Sequence, residues 1–242
     1  MNSATGKAIL AKARGGDFAH PGEEEAVQLV ALGLKRSPHN RVLDVGCGRG
    51  GTAAWLQRNN FGRIFGIDVD SESIQYAQTA YPDVTFCTLD VAELKNRWNS
   101  EAFDVVCLFN SFYAFRDQPG ALREIRNVCH SGSVLNIFDY STSIGSVIPA
   151  ALGTEIGQPI VIENIASWLA AAGWVNVTSE DLTERFVFWY GALLAAFERD
   201  RLWITENFGL RSAEFVTHFY SSLRESLIAG DIRGMVLRAI AD

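Results

Sequence analysis

The sequence has few cysteines and no long apolar run. Its four cysteines lie far apart, so neither a C-x-x-C pair nor a disulfide framework is indicated, and no metal site is expected. No apolar stretch approaches the roughly 20 residues that cross a bilayer. The opening segment "MNSATGKAILAKARGGDF" lacks the apolar core of a signal peptide. These absences predict a cytoplasmic protein without a membrane partner.

Runs rich in lysine and arginine are also missing, and the formal net charge is −7 over 242 residues. A partner made mostly of phosphate backbone would be repelled on average, so no nucleic acid partner is expected. A hydrophobic fraction of 48% with 20% charged residues is typical of a globular protein. The length suits one domain, or one domain with a sizeable cap. Nothing in the sequence indicates an oligomeric state.

Short apolar runs alternate with helical patterns from residue 41 onward. The runs cover 41–46, 63–67, 84–88, 103–109 and 133–139. Helices are predicted between them at 51–59, 72–80 and 119–129, with a shorter one at 91–97. Strands that alternate with helices predict an α/β fold whose parallel sheet carries helices on both faces. Ligands bind beyond the carboxyl ends of the strands in such sheets.

Two helical regions lie outside this alternation. Two helices are predicted within 4–36, and two more follow a sixth strand at 174–179 and precede a last strand, "GMVLRAIA". The predicted division is a helical cap at 1–36, a core at 37–184 and 231–242, and a helical lid at 185–230.

The stretch "RVLDVGCGRGGTA" at 41–53 places three glycines at a strand-to-helix turn. Gly46, Gly48 and Gly51 satisfy the dinucleotide pattern G-x-G-x-x-G, whereas Gly46, Gly48 and Gly50 satisfy G-x-G-x-G. Both patterns bring the backbone close to a ligand. The glycines alone therefore leave the kind of cofactor open.

Asp44 distinguishes between a dinucleotide and the other class of cofactor. A carboxylate inside a buried strand costs several kcal/mol unless a cation or a hydrogen-bond donor meets it. A pyrophosphate beside it would add like-charge repulsion, whereas a cationic ligand would stabilise it. The sequence therefore favours a cationic ligand over a dinucleotide.

The segment "LDVGCGRG" resembles the first motif of the class I S-adenosylmethionine-dependent methyltransferases. "IFGIDVD", "FCTLDV", "FDVVCLFNSFYAF" and "LREIRNVCHSGSVLNIFDY" follow in the order of that family's later motifs, with Ser133 where the family often has a glycine. The resemblance covers about 36–180 and the terminal strand. It implies a Rossmann-like, seven-stranded, mostly parallel sheet with an antiparallel last strand. It also implies a methyl-transferring enzyme with S-adenosylmethionine as cofactor and S-adenosylhomocysteine as product.

The resemblance also assigns cofactor contacts. It implies that Asp68 hydrogen-bonds both ribose hydroxyls and that Asp90 accepts from the adenine amino group, with the Val91 backbone beside the ring. The cofactor-binding residues that it implies are Asp44, Gly46, Cys47, Gly48, Gly50, Asp68, Val69, Asp90, Val91, Phe109 and Asn110.

The methyl acceptor is harder to read, because an in-line displacement from a sulfonium needs a base only when the acceptor arrives protonated. Tyr113 and Asp139, after the fourth and fifth strands, are the catalytic candidates. The substrate-binding candidates are His20, Tyr113, Tyr140, Phe186, Trp189 and Tyr190. Aromatic faces attract cations, and "DLTERF…WY" loosely resembles methyltransferases of glycine-derived amines. We predict methylation of an N or O atom of a small molecule.

Other interpretations stay open at this point. "NSFY" at 110–113 occupies the place of the N-P-P-Y motif of nucleic-acid amine methyltransferases, but both prolines are absent. An NAD-type oxidoreductase would need pyrophosphate beside Asp44. A non-catalytic S-adenosylmethionine-binding protein remains an alternative, because this chemistry requires no diagnostic base. His20 as a surface residue, Tyr113 and the lid aromatics as packing residues, and Asp139 as a turn cap are the corresponding structural alternatives.

Overall fold

The structure is a computed structural model that describes residues 3–153 and 155–242. The helices are α1 (Ala4–Arg14), α2 (Glu23–Val30), α3 (Gly51–Arg58), α4 (Ser71–Ala80), α5 (Leu94–Arg97), α6 (Gln118–Asn127), α7 (Ile162–Ala171), α8 (Thr183–Arg199), α9 (Arg201–Phe208) and α10 (Leu210–Ala229). The strands are β1 (Arg41–Val45), β2 (Arg63–Asp68), β3 (Thr85–Thr88), β4 (Phe103–Phe109), β5 (Cys129–Thr142), β6 (Ile160–Val161), β7 (Trp174–Asp181) and β8 (Arg233–Ala241).

The strands form one sheet in the order β3-β2-β1-β4-β5-β8-β7. Strands β1 to β5 run parallel to one another, and β8 runs antiparallel to both β5 and β7. The predicted α/β class is confirmed, with its mostly parallel sheet and antiparallel last strand. One difference is an eighth strand, because β6 pairs with the end of β5. Two residues are too few to give a periodic pattern in the sequence.

The sheet is central because its strands are apolar on both faces. Along β1, Val42 belongs to one buried cluster and Leu43 and Val45 to another, since successive side chains point to opposite faces. The first cluster also takes in α1, α2 and the helices between β7 and β8, whereas the second contains α6 and α7. The Asp44 side chain therefore lies in a strand that is buried on both sides.

The segment between β7 and β8 contains the three helices α8, α9 and α10, where two were expected. Gly209, with φ at +85°, separates α9 from α10, and this break was not evident in the apolar pattern. The first turns of α8 lie directly on β8. A Cβ at Gly234 would lie only 2.4 Å from the Phe186 ring, so the absence of a side chain on β8 lets that ring rest against the strand.

None of the helices in the described part of the chain is both long and apolar enough to cross a membrane. Within the same residues, no three side chains of histidine, cysteine, aspartate or glutamate are grouped as metal ligands.

Candidate cofactor and acceptor site

The glycine turn is held against the end of β2. The backbone N–H groups of Gly46 and Cys47 both donate to the Ile67 carbonyl, at 2.8 and 2.9 Å. The Gly48 N–H donates to Asp68 Oδ2 at 2.8 Å, and the Asp70 N–H donates to Asp68 Oδ1 at 2.9 Å. Asp68 and the turn therefore share one edge of the sheet, as expected for neighbouring parallel strands.

Gly48 leaves space beside the turn. Its φ is +53°, and a Cβ built there would meet no atom within 4 Å. Cys47, next to it, is buried, and burial raises the pKa of its thiol well above the ordinary value. The turn thus presents backbone to the open space at the strand ends, whereas the neutral Cys47 thiol packs against β2, 2.9 Å from where a Cβ at Gly66 would lie.

Two polar side chains at this edge lack partners. Asp44 is 1% exposed, and among the described residues its Oδ2 has no hydrogen-bond partner. Burial, followed by the charge of Asp68, raises the pKa of Asp44 to about 7. Asn110, directly after β4, has a φ of +48°, and neither its amide oxygen nor its amide nitrogen has a partner in the part of the chain that the structure describes. Because native proteins seldom bury such groups unpaired, the pair indicates a ligand with polar or cationic groups.

The remaining predicted cofactor residues end or follow β2, β3 and β4 at the same edge. Val69 is 68% exposed directly after β2. Asp90 is exposed and accepts the Ala92 N–H at 2.9 Å, and Val91 is partly buried beside it. Phe109 ends β4 and is buried. The residues chosen from the motifs thus border one region of the molecule.

A segment before α2 covers the turn; we call residues 15–22 the covering segment. Asp17 accepts from Arg49 Nε at 2.7 Å and from the hydroxyls of Tyr81 and Tyr76 at 2.7 and 3.0 Å. The charge of Asp17 indicates this anchoring role only once the fold has placed it beside Arg49, so the sequence did not reveal it.

His20 is buried within the covering segment and is not a surface residue. Its Nε2 lies 2.9 Å from Thr52 Oγ1 on α3, and its ring lies 4.9 Å from that of Phe109. Burial lowers the pKa of His20 to about 3, so the ring is neutral at pH 7. His20 therefore joins the covering segment to α3 and to the end of β4.

Asp139 organises the chain after β4. Its Oδ2 accepts the N–H groups of Phe112 and Tyr113 at 2.8 and 3.2 Å, and its Oδ1 accepts that of Tyr140 at 2.7 Å. Burial raises its pKa to about 7, although these hydrogen bonds oppose the rise. Because both oxygens already accept backbone groups, the geometry suits positioning of Tyr113 better than proton exchange with an acceptor.

Four tyrosines meet between the end of β5 and the lid helices; we call Tyr113, Tyr140, Tyr190 and Tyr220 the tyrosine cluster. The rings of Tyr113 and Tyr140 lie 5.4 Å apart, as do those of Tyr190 and Tyr220. The hydroxyls of Tyr140 and Tyr190 are hydrogen-bonded to each other. Burial raises the pKa of both well above the ordinary value, so they are neutral. Tyr220 was not among the predicted residues, because it reads as one more apolar position of α10.

The aromatic side chains of the lid cover the end of β5. Phe186 is fully buried, with its ring 4.8 Å from that of Phe138 and 5.9 Å from that of Tyr140. Trp189 donates from Nε1 to Glu25 Oε2 at 2.9 Å, which ties α8 to α2. The structure thus brings the predicted acceptor residues together beneath the lid helices.

A family model described as a methyltransferase domain matches residues 36–176. The chain belongs to this family. It is a class I S-adenosylmethionine-dependent methyltransferase domain, which confirms the resemblance and the cofactor that it implied.

The methyltransferase domain is similar to larger curated proteins. It is 25% identical over 217 residues to a phosphoethanolamine N-methyltransferase of Triticum aestivum, covering 88% of this chain and 43% of that protein. It is also 25% identical over 221 residues to phosphoethanolamine N-methyltransferase 3 of Arabidopsis thaliana, covering 89% and 43%. The domain thus spans less than half the length of these relatives.

Solved structures share its fold. Phosphoethanolamine N-methyltransferase 2 of Haemonchus contortus, in complex with phosphomonomethylethanolamine and S-adenosylhomocysteine, superposes with a TM-score of 0.88 at 18% identity, covering 98% of this chain and 57% of that one. The cyclopropane synthase MmaA2 of Mycobacterium tuberculosis superposes at 0.84 with 14% identity, covering 98% and 94%.

The raised pKa of Asp44 predicts how pH acts on the methyltransferase. A raised folded-state pKa favours the protonated form, so its stabilising contribution is full below the unfolded pKa and is lost as pH rises through about 7. A cationic ligand requires the ionised form. Its affinity should therefore rise about fivefold to tenfold between about pH 6 and about pH 7.5 if only ionised Asp44 binds it.

The measurement is calorimetric titration of S-adenosylmethionine across this range with wild type and Asp44→Asn. The asparagine variant keeps the shape of the side chain but cannot ionise, and it retains any dependence that comes from the ligand or from Asp139. A wild-type profile that matches the variant's would show that Asp44 does not face the cationic end.

Proposed function

We propose that this methyltransferase domain transfers the methyl group of S-adenosylmethionine to an N or O atom of a small-molecule acceptor by in-line displacement. The observation that carries the proposal is the pair of buried, unpartnered polar groups, Asp44 and Asn110, beside the open space at Gly48. The cofactor, when bound, supplies an electrophilic methyl group on a positively charged sulfur.

The residues present fit such a ligand. In this proposal Asp44 and Asn110 meet its amino-acid end, and the backbone of Gly46, Cys47, Gly48 and Gly50 lets it approach the turn. Asp68 and Val69 serve the ribose, whereas Asp90 and Val91 border the adenine. Asp68 keeps accepting capacity for ribose hydroxyls, because a carboxylate offers about four lone-pair sites and the two backbone donors above use two of them.

The acceptor side is proposed to lie between the loop after β4 and the lid. Tyr113, held through its backbone by Asp139, lies there, and the hydroxyls of Tyr140 and Tyr190 are neutral donors or acceptors at pH 7. His20, Phe186 and Trp189 are proposed to enclose the acceptor and exclude water, which keeps the reacting atoms in line. An acceptor that arrives with a free lone pair then needs no base.

Enclosure and charge favour a small molecule over nucleic acid. The lid lies across the end of β5, and the net charge is −7. We therefore keep the division into a cap at 1–36, a core at 37–184 and 231–242, and a lid at 185–230 as a functional proposal, with the cap and lid enclosing the acceptor.

The test is release of S-adenosylhomocysteine from S-adenosylmethionine in the presence of small amines and phenols. Methyl transfer predicts acceptor-dependent release that Asp44→Asn lowers through cofactor affinity. Binding of both adenosyl ligands without release for any acceptor of the panel would contradict methyl transfer and favour a purely binding role.

A further inference from the structure

Arg14, in the last turn of α1, is a buried arginine whose donors are only partly used. Its side chain is 1% exposed. Nη1 donates to Glu23 Oε1 at the start of α2. Nε and Nη2 are buried and have no hydrogen-bond partner among the residues that the structure describes. Two of the three guanidinium nitrogens therefore lack an acceptor there.

This arrangement costs free energy unless a ligand completes it. An arginine does not give up its proton in a protein, so burial cannot be relieved by neutralisation. Buried N–H groups are nearly always paired, and a charged donor is the most costly to leave alone. A purely structural arginine–glutamate pair would turn its remaining donors to backbone carbonyls. Glu23, by contrast, is partly exposed and accepts a hydrogen bond from only one guanidinium nitrogen, Nη1.

Arg14 lies beside two members of the tyrosine cluster, Tyr190 and Tyr220. Burial raises the pKa of Tyr220 to about 12, and the charge of Arg14 together with a hydrogen bond between Arg14 and Tyr220 opposes that rise. Tyr190 is in turn hydrogen-bonded to Tyr140, whose ring contacts Tyr113. Hydrogen bonds and ring contacts within the tyrosine cluster thus connect Arg14 to Tyr113, the residue proposed to border the reacting atoms.

We propose that Arg14 binds an anionic group of the methyl acceptor, a carboxylate or a phosphate, through Nε and Nη2. The inference rests on the proposed function and names its substrate class. Nε–H and one Nη2–H point the same way and match two oxygens of such a group, which is the strong bidentate arrangement for arginine. The hydroxyl oxygen of Tyr220 accepts a hydrogen bond from Arg14, and its O–H remains a further donor for the anion. The atom to be methylated then lies at the Tyr113 end, away from the guanidinium.

Minimal anions test the site without knowledge of the acceptor. The domain loaded with S-adenosylhomocysteine is titrated at constant ionic strength with inorganic phosphate and, separately, with acetate. We expect saturable binding with a dissociation constant of about 1–10 mM for at least one anion. Arg14→Met, which keeps an apolar stem, should weaken it by about tenfold or more, the effect of losing one charge-assisted pair.

Three further variants separate recognition from structural support. Arg185→Met removes an exposed arginine that pairs with Glu25 on the same side of the lid, and it should leave anion affinity within about twofold. Tyr220→Phe preserves packing and should weaken binding about threefold by removing one donor. Glu23→Gln removes the competing carboxylate and should tighten binding. It also keeps the proposal testable if Arg14→Met does not fold.

The outcomes are distinct. Saturation by phosphate alone identifies a phosphorylated acceptor, saturation by acetate alone a carboxylated one, and saturation by both an anionic group of either kind. No saturation up to about 100 mM, or equal affinity in Arg14→Met and wild type, would overturn the proposal. If S-adenosylhomocysteine still binds in that case, the proposed function stands and only the substrate class falls. If S-adenosylhomocysteine does not bind, the proposed function is contradicted, and the anion proposal that rests on it falls as well.

Discussion

Replacing Gly48 by valine is expected to lower cofactor affinity by about a hundredfold or more while leaving a folded domain. Gly48 has a φ of +53°, and the space that its Cβ would enter holds no protein atom within 4 Å. A branched side chain would fill the region that the cofactor needs. It would also strain a left-handed backbone position, at a cost of about 1–3 kcal/mol.

Gly132→Val is the matched control for that strain. Gly132 has a φ of +87° and equally open surroundings, but it lies near the start of β5, at the opposite edge of the sheet. Both variants should lose comparable stability in thermal unfolding, and only Gly48→Val should lose S-adenosylhomocysteine binding in calorimetry. Retained binding by Gly48→Val would show that the ligand does not pass the turn.

Replacing Phe186 by alanine should produce the largest loss of stability. The ring is fully buried between β5, β8 and the lid, within 4.8 Å of the Phe138 ring. Truncation of a buried phenylalanine costs about 3–5 kcal/mol. For a domain of this size that corresponds to a fall in melting temperature of roughly 6–20 °C. Acceptor turnover should fall further than cofactor affinity, because the cavity opens beside Tyr140 and not beside the glycine turn.

Phe188→Ala is the control on the same helix. Phe188 is 70% exposed, so its truncation should change stability by about 0.5 kcal/mol or less. Thermal unfolding and steady-state kinetics measured on both variants below their melting temperatures separate the two effects. Equal losses in the two variants would contradict the assignment of Phe186 to the acceptor side of the lid.

Local chemistry made the sheet and the cofactor edge predictable. Apolar runs located β1, β2 and β4 to within a residue, because buried parallel strands read as continuous hydrophobic segments. Asp44 stood out because a carboxylate inside such a run needs a partner. The structure leaves its Oδ2 unpaired beside the glycine turn, which is the feature that the sequence argument required.

Contacts between distant segments of the chain could not be predicted from the sequence. Arg14 resembles an ordinary basic residue at a helix end, and only the packing of α1 against α8 and α10 buries it beside Tyr190 and Tyr220. His20 resembles a helix-start residue, yet tertiary contacts bury it against Thr52. Such contacts join segments far apart along the chain, and no local periodicity encodes them.

The central claim is that a cationic adenosyl cofactor binds at Asp44. The most direct measurement is thermal unfolding of the domain with S-adenosylmethionine, S-adenosylhomocysteine and NAD in parallel. A ligand at about 100 times its dissociation constant adds about 2.7 kcal/mol of stability. For this length that is roughly 5–10 °C. The structure predicts a shift of that size with the two adenosyl ligands and none with NAD, whereas a shift with NAD alone would contradict it.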